Sequence, residues 1–536
     1  MDERAAATPP ADEPRLATRV FGLPLDTIGL VAGPLVLIVW LLNEDPSLAA
    51  DAVMRYRLGG VMLLTILWWL TEPIPIPVTG LLAVVLAVVL GVIPADESQS
   101  ASAAFKAVFA PFADPTVFFL MGGMFIGQAM MRHGLDRRFA LAILCSRWAG
   151  RSPATVLGGV GLAVGLVSMF VSNTAATAMV FPVTMGLIAV MASGAQQSNG
   201  VTAGGFARSP YATALLLMTA YASSVGGIAT PIGTTTNVVA MGYFKQEAYF
   251  GRSVDFLAWM QVGIPTMLLL GAALYLWLRL AAPVTAIDVA ALRRYLHEAR
   301  SGIGPWKRGE WNTLAVFMIV VSLWLAPGVI GLVDEDLARR FNRRLPEEIV
   351  ALFIPVLLYL LPVNWRRREG TLETADLRRI DWGTLLLFGS GLALGGLMFR
   401  TGLASSIAKA AVAGLGTEDV WAITAVAIAA GVVLSEFTSN AATAATLIPV
   451  VWQICGQLEI EPLPPLMGLT FGASFGSALP VSTPPNAIVY GSGLIPMRRM
   501  IGAGVVFDVI CIAVIWVALR LAVGLNWTPF LGIGDR

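Results

Sequence analysis

The chain has 536 residues, 57% of them hydrophobic and 13% charged, with a net charge of +1 and a mean hydropathy of +0.75. That composition excludes a soluble domain. About 20 apolar residues cross a bilayer core, so the chain reads as a polytopic membrane protein. The balanced charge gives no reason to expect a nucleic-acid partner, which would be held by clustered Lys and Arg.

In chain order, Met1 to Arg19 mixes Asp, Glu, Arg, Pro and Ala without a signal-peptide core and reads as a short disordered cytosolic tail. Apolar segments follow at Ile28–Leu42, Gly59–Leu70, Val78–Val92 and Val117–Met131. The stretch Ala154–Ala192 carries a Ser-Asn pair near its middle, and Ala212–Ala222 and Ala258–Leu280 come after it. Between Ile287 and Arg300, Val289, Leu292 and Leu296 oppose Arg293, Arg294 and Arg300, which fits either an amphipathic helix on the membrane surface or a solvated connector. The second half offers Leu314–Val333, Ile349–Val363 and Thr384–Phe399, then Val420–Ile454 with its own Ser-Asn pair, then Leu466–Leu479 and Gly502–Leu525. Cys145, Cys455 and Cys511 are far apart, without metal-like spacing, and read as packing residues.

The two interrupted stretches are copies. Phe170-Val171-Ser172-Asn173-Thr174-Ala175-Ala176-Thr177-Ala178 recurs as Phe437-Thr438-Ser439-Asn440-Ala441-Ala442-Thr443-Ala444-Ala445, with Pro182 and Pro449 downstream. Gly123, Gly127, Gly134 and Leu135 match Gly391, Gly395, Gly402 and Leu403 at a displacement of 391 − 123 = 268, against 440 − 173 = 267 for the Asn pair. After each copy comes a third match, Gly233-Thr234-Thr235-Thr236-Asn237 against Ser482-Thr483-Pro484-Pro485-Asn486. Polar, Pro-broken backbone at membrane depth is tolerated where it is buried in protein or lines a watery cavity. The Ser-Asn stretches therefore read as re-entrant hairpins, and the third pair as helices that unwind midway; two ordinary spanning helices are the alternative for each hairpin. Counting the hairpins as returning to their own side gathers the loops around Arg132–Arg151, Arg293–Arg308, Arg366–Arg379 and Arg498–Arg499 on the cytosolic side. Arg339, Arg340, Arg343 and Arg344 fall outside, surrounded by acids. The halves are then antiparallel, and inverted repeats with broken helices place a substrate site near the midplane. Hairpin tips and half-helix ends supply N–H donors suited to an anion, while Ser, Thr and Asn oxygens and freed carbonyls suit a small cation. Neither tip contains Arg or Lys, so a bound cation would supply the positive charge that a polyanion needs, coupling the two.

These residues resemble the divalent anion sodium symporter family, carriers of dicarboxylates, citrate or sulfate. The resemblance rests on Ser172-Asn173-Thr174, Ser439-Asn440, Thr483-Pro484-Pro485-Asn486 with trailing Gly491-Ser492-Gly493, and Thr71-Glu72-Pro73-Ile74-Pro75-Ile76-Pro77, and covers residues 60 to 525. It implies an all-α polytopic membrane protein with an inverted repeat, about 11 transmembrane helices, two re-entrant hairpins and two broken helices, working as a homodimeric elevator-type carrier. It divides the chain into the tail 1–24, scaffold helices 25–135, a transport-domain half 136–283, a cytosolic amphipathic connector 284–312, scaffold helices 313–403 and a second transport-domain half 404–536. Carried over by motif, one sodium site takes Ser168, Ser172, Asn173 and Gly233, and the other Ser435, Thr438, Asn440 and Ser482. The substrate carboxylates meet Asn173, Thr174, Thr234, Ser439, Asn440, Thr483 and Pro484. No cofactor is implied beyond sodium as the coupling ion, and the implied location is a bacterial inner membrane with a cytoplasmic N-terminus.

Two departures bear on selectivity: the second tip has Ala441 where many members have Thr, and the first broken helix reads Thr234-Thr235-Thr236-Asn237 where others have Pro-Pro. Sodium-coupled symport of a di- or tricarboxylate is the leading expectation; sodium-independent dicarboxylate exchange and sodium-coupled sulfate transport are the alternatives. No catalytic constellation appears, since His297-Glu298-Ala299-Arg300 lacks the second His of a zinc-protease helix and no nucleophile elbow is present. Glu436, beside the second tip, either braces the hairpin through hydrogen bonds or senses protons; bracing is the cheaper state for a buried carboxylate. His133 and His297 are expected to be solvated.

Overall fold

The computed structural model describes residues 19–20, 23–93, 101–149, 151–199, 203–245, 254–282 and 288–524. All but the last residue of the tail expected at Met1–Arg19 lies outside them. After a short strand pair (β1 Arg19–Val20, β2 Leu23–Pro24) the first helices are α1 Leu25–Leu42, α2 Ala50–Thr71, α3 Ile76–Val89, α4 Ala101–Phe109 and α5 Pro115–His133. Next come α6 Leu135–Leu144, α7 Pro153–Ser168, α8 Asn173–Asn199, α9 Ala203–Ala207, α10 Pro210–Gly227, α11 Thr235–Lys245 and α12 Phe256–Ala281. The connector forms α13 Val289–Ser301, the amphipathic helix rather than a coil. The second half runs through α14 Arg308–Gly331, α15 Glu335–Arg344, α16 Glu347–Leu360, a β3 Pro362–Asn364 and β4 Glu369–Gly370 hairpin, and a 3-10 turn at Thr374–Arg379. It ends in α17 Trp382–Arg400, α18 Leu403–Leu415, α19 Val420–Ser435, α20 Asn440–Gln457, α21 Leu463–Gly472, α22 Pro484–Tyr490 and α23 Met497–Gly524.

Eight helical stretches among the described residues are long and apolar enough to cross a membrane, while α3 and α16 are apolar but have 14 residues each. Large hydrophobics such as Leu35, Val39, Met318, Phe353 and Val509 are exposed on these helices, the placement expected where lipid is the solvent.

Repeated residues give repeated structure. Asp114 caps α5 by accepting from Thr116 N, and Asp381, 267 positions on, caps α17 by accepting from Thr384 N at 3.0 Å. Gly134 and Gly402 both adopt φ +72°, turning the chain out of α5 and α17 into the short amphipathic helices α6 and α18. Those helices lie between the spans expected from the sequence and carry no Ser-Asn or Pro signal of their own. Both Ser-Asn stretches are helical hairpins, α7 with α8 and α19 with α20, and both third motifs are broken helices, α10/α11 and α21/α22. In each half the hairpin packs on the first part of its broken helix, α7 on α10 and α19 on α21, and α12 packs on α23 to join the halves.

Charged residues fix the ends. Lys245 at the end of α11 pairs with Glu348 at the start of α16, and Arg138 of α6 holds the buried Glu310 of α14 at 2.8 Å. His133 is not solvated: it is part-buried and its Nε2 donates to the Thr371 carbonyl at 2.7 Å, because the end of α5 meets the segment just after β4 and Gly309 of α14. His297 is exposed as expected.

The close packing of α7 on α10 depends on Gly226, where a Cβ would stand 2.1 Å from the Gly165 carbonyl oxygen. Gly226→Ala is expected to push the hairpin off the broken helix, at a cost of about 1–3 kcal/mol, and to lower the melting temperature by about 5 °C. Fluorescence-detected size exclusion of heated detergent extracts measures it; an unchanged melting curve would contradict the close approach.

Candidate substrate and cation site

Each Ser-Asn pair is a helix start. Ser172 Oγ accepts from Ala175 N at 3.3 Å and Ser439 Oγ from Ala442 N at 3.2 Å, so each serine caps the outgoing helix and each asparagine is its first residue. A polar side chain is therefore retained at the tip, and the N-terminal ends of α8 and α20, with their unpaired N–H groups and positive dipole, face the same space.

The broken helices are held open by one device used twice. Asn237 Nδ2 donates to the carbonyls of Gly227 (3.0 Å) and Thr230 (2.8 Å), and Asn486 Nδ2 to those of Gly476 (2.9 Å) and Leu479 (3.1 Å). Every member of the second set is displaced by the same 249 positions (486 − 237). Both asparagines are buried. Freed carbonyls in an apolar surround are costly unless paired, and a side-chain amide supplies two donors from one residue. Further donors finish the work: Thr230 Oγ1 to the Met169 carbonyl, and Trp259 Nε1 to the Ile228 carbonyl at 3.0 Å. Thr236 Oγ1 meets Ser474 Oγ at 2.6 Å, linking the two broken helices across the repeat.

Glu436 follows the bracing pattern. Its carboxylate accepts from Ala478 N (2.7 Å), Leu479 N (3.0 Å) and Ser482 Oγ (2.6 Å), tying the second tip to the unwound segment behind it. Its repeat partner Met169 has no carboxylate, and there Thr230 ties the tip through the Met169 backbone instead.

A cavity of about 670 Å³ lies between the halves. Asn173, Thr174, Thr234, Ser439, Asn440, Thr483 and Pro484 all line it, together with Ser172, Gly233 and Ser482. Ser168, Ser435 and Thr438 sit behind the tips, buried. Ten of the 13 candidate site residues thus line one cavity, and the other three lie behind its tips. In the first cluster Ser168 Oγ donates to Asn173 Oδ1 at 2.8 Å. In the second, Ser435 Oγ donates to the Ala473 carbonyl at 2.9 Å and Asn440 Nδ2 to the Ser474 carbonyl at 3.2 Å. Thr438 Oγ1 and Asn440 Oδ1 are buried there without a hydrogen-bond partner among the described residues. Hard oxygens buried and left unpaired among the described residues fit a small cation better than they fit a dry core.

Residues 28–533 match the family model described as the sodium:sulfate symporter transmembrane region. The chain belongs to this family, the divalent anion sodium symporters. Its relatives within that group include the sodium-dependent dicarboxylate transporter SdcS of Staphylococcus saprophyticus, 30% identical over 520 residues, which span 94% of this chain and 92% of that one. SdcS of Staphylococcus aureus strain bovine RF122 is also 30% identical, over 93% and 92% of the two chains. In fold, the chain is similar to the Alcanivorax borkumensis YdaH transporter, whose crystal structure has an unusual topology: TM-score 0.52, 16% identity, 80% of this chain and 90% of that one.

The motif match exposes Asn237 and Asn486 by their equal positions, but their work as clamps on freed carbonyls is visible only in the fold. Glu436→Ala removes the acceptor for two N–H groups and one hydroxyl and is expected to cost about 2–4 kcal/mol, with Glu436→Gln recovering part of it. Thermal unfolding in detergent reads both. Unchanged stability in Glu436→Ala would leave proton sensing as the residue's role.

Proposed function

We propose that the chain is a sodium-coupled symporter of di- or tricarboxylates such as succinate, malate, fumarate or citrate. The observation that carries this reading is the second oxygen cluster, where Thr438 Oγ1 and Asn440 Oδ1 lie unpaired directly behind a cavity lined by both Ser-Asn pairs. Sodium held by Ser435, Thr438, Asn440 and Ser482, and by Ser168, Ser172, Asn173 and Gly233 in the mirror cluster, would lend positive charge to tips that have none of their own. Asn173 and Asn440 each have two ends, an oxygen for the cation and an amide for the anion, and so couple the two ligands. Thr174, Thr234, Ser439 and Thr483 add hydroxyl donors to the carboxylates, and Pro484, having no N–H, offers an apolar contact to the carbon chain between them. The names of the SdcS relatives support the dicarboxylate and the sodium dependence.

The cavity is also lined by Ile76 and Pro77 at the start of α3, Gln128 and Met131 at the end of α5, and Arg379, Ile380, Asp381 and Thr384 around the start of α17. These helix ends adjoin the basic loops at Arg366–Arg379 and around Arg132, so by the charge rule the cavity opens toward the cytosol, and the N-terminus lies on that side of a bacterial inner membrane. The mechanism follows as an elevator: the hairpins, broken helices, α12 and α23 move as a transport domain against a scaffold of α1–α5 and α14–α17 that carries the homodimer interface. The glycine turns at Gly134 and Gly402 are the joints. No step of this cycle makes or breaks a covalent bond, and the protein acts as a carrier rather than an enzyme.

Ala441 at the second tip favours one second reading, sulfate or another inorganic oxyanion, because it removes a hydroxyl that a carboxylate would use. In proteoliposomes, labelled succinate uptake is expected to collapse when choline replaces sodium and to compete weakly with sulfate. Uptake indifferent to sodium but dependent on internal succinate would establish exchange instead. Asn173→Ala and Asn440→Ala are each expected to lower uptake at least about 100-fold, the loss of charge-assisted contacts to two ligands at once, with the protein still folded. Retained uptake in both variants would remove these residues from the site.

A further inference from the structure

We propose that Arg379 is the residue that receives and steers the anion at the open side of the cavity, an inference that rests on the carrier reading above. Among the cavity-lining residues only Arg379 and Asp381 carry a formal charge. Asp381 is committed, since its carboxylate caps α17 by accepting from Thr384 N at 3.0 Å and Thr384 Oγ1 at 2.5 Å. The Arg379 guanidinium, by contrast, makes no hydrogen bond or ion pair among the described residues, although it is exposed at the rim and belongs to the wall. Nearby arginine Arg132 is tied to Glu373 at 2.9 Å and to Asp376.

The position is built. The turn Thr374–Arg379 is pinned to the end of α5 by the buried Asp376, which accepts from Gln128 Nε2 at 3.2 Å and from Arg132. Asp376 also accepts from Glu373 N at 2.9 Å, and Trp382 Nε1 closes the far side on the Leu377 carbonyl at 2.8 Å. A backbone fixed at both ends presents a side chain whose five donors are all unspent. A guanidinium in that state binds a carboxylate with two parallel hydrogen bonds. It stands between bulk water and tips that lack any fixed positive charge, so a departing dianion passes it and an arriving one meets it first. Arg379 precedes α17, part of the proposed scaffold, and would stay put while the tips move. Its influence is therefore confined to the side on which the cavity now opens.

The test measures sodium-dependent succinate flux in right-side-out and inverted membrane vesicles for wild type, Arg379→Gln, Arg379→Lys and Arg378→Gln. Arg378 is the exposed neighbour that does not line the cavity. For Arg379→Gln, KM is expected to rise about fivefold from the cytosolic side and lose most of its dependence on ionic strength, as removal of a rim charge does. KM from the outer side and the half-saturating sodium concentration should not change. Arg379→Lys should restore part of the affinity, and Arg378→Gln should behave as wild type. Equal KM values in wild type and Arg379→Gln on both sides, or the same rise in Arg378→Gln, would overturn the assignment. Wild-type vesicles with no sodium-dependent flux of succinate would instead overturn the carrier reading, and this inference with it.

Discussion

Unpaired backbone at membrane depth is the constraint around which this molecule is organised. Two helices unwind midway, and in hydrocarbon each freed carbonyl or N–H would cost several kcal/mol. The chain meets that cost from within. Asn237 and Asn486 take two carbonyls each, Thr230 and Trp259 secure the first loop, and Glu436 takes two N–H groups of the second. With the backbone satisfied in this way, the remaining polar atoms of the tips are free to face a ligand. The two asparagines that clamp the freed carbonyls, Asn237 and Asn486, are not themselves among the residues lining the cavity.

The two halves solve the same problem with different chemistry. At the first tip the oxygens satisfy one another, Ser168 donating to Asn173. At the second, Ser482 replaces Gly233 and spends its hydroxyl on Glu436, while Thr438 and Asn440 keep oxygens without partners. The Glu436 carboxyl stands next to the second cluster where the first has Met169. The repeat is symmetric in backbone and asymmetric in side-chain chemistry at its two tips.

The broad architecture could be read from the residues because the repeat acts as its own control. A Ser-Asn pair, a Gly or Pro break and the glycines of α5 and α17 recur at nearly constant displacement, and two copies of one exception to apolarity are not accidental. The amphipathic helices α6 and α18 were not legible, since ten to thirteen residues of mixed polarity look like any loop between spans. The burial of His133 is hidden for a related reason: it follows an apolar span, and the residues that cover it, Thr371 and Gly309, are far away in the chain. Glu436 could be flagged as a buried carboxylate but not assigned, because its three donors come from residues 42 to 46 positions away.

By itself the sequence determined the membrane environment, the antiparallel duplication and the identity of the polar residues that converge, because each of these is a local pattern of polarity against an apolar background. The tertiary structure alone decided which of those residues clamp backbone and which face the cavity, and which half keeps spare oxygens. It also decided that Arg379, read in the sequence as one more basic loop residue, stands on the cavity wall. The physical reason is that hydrogen-bond partnership between segments far apart in the chain depends on distances of a few ångströms, and no local pattern encodes them.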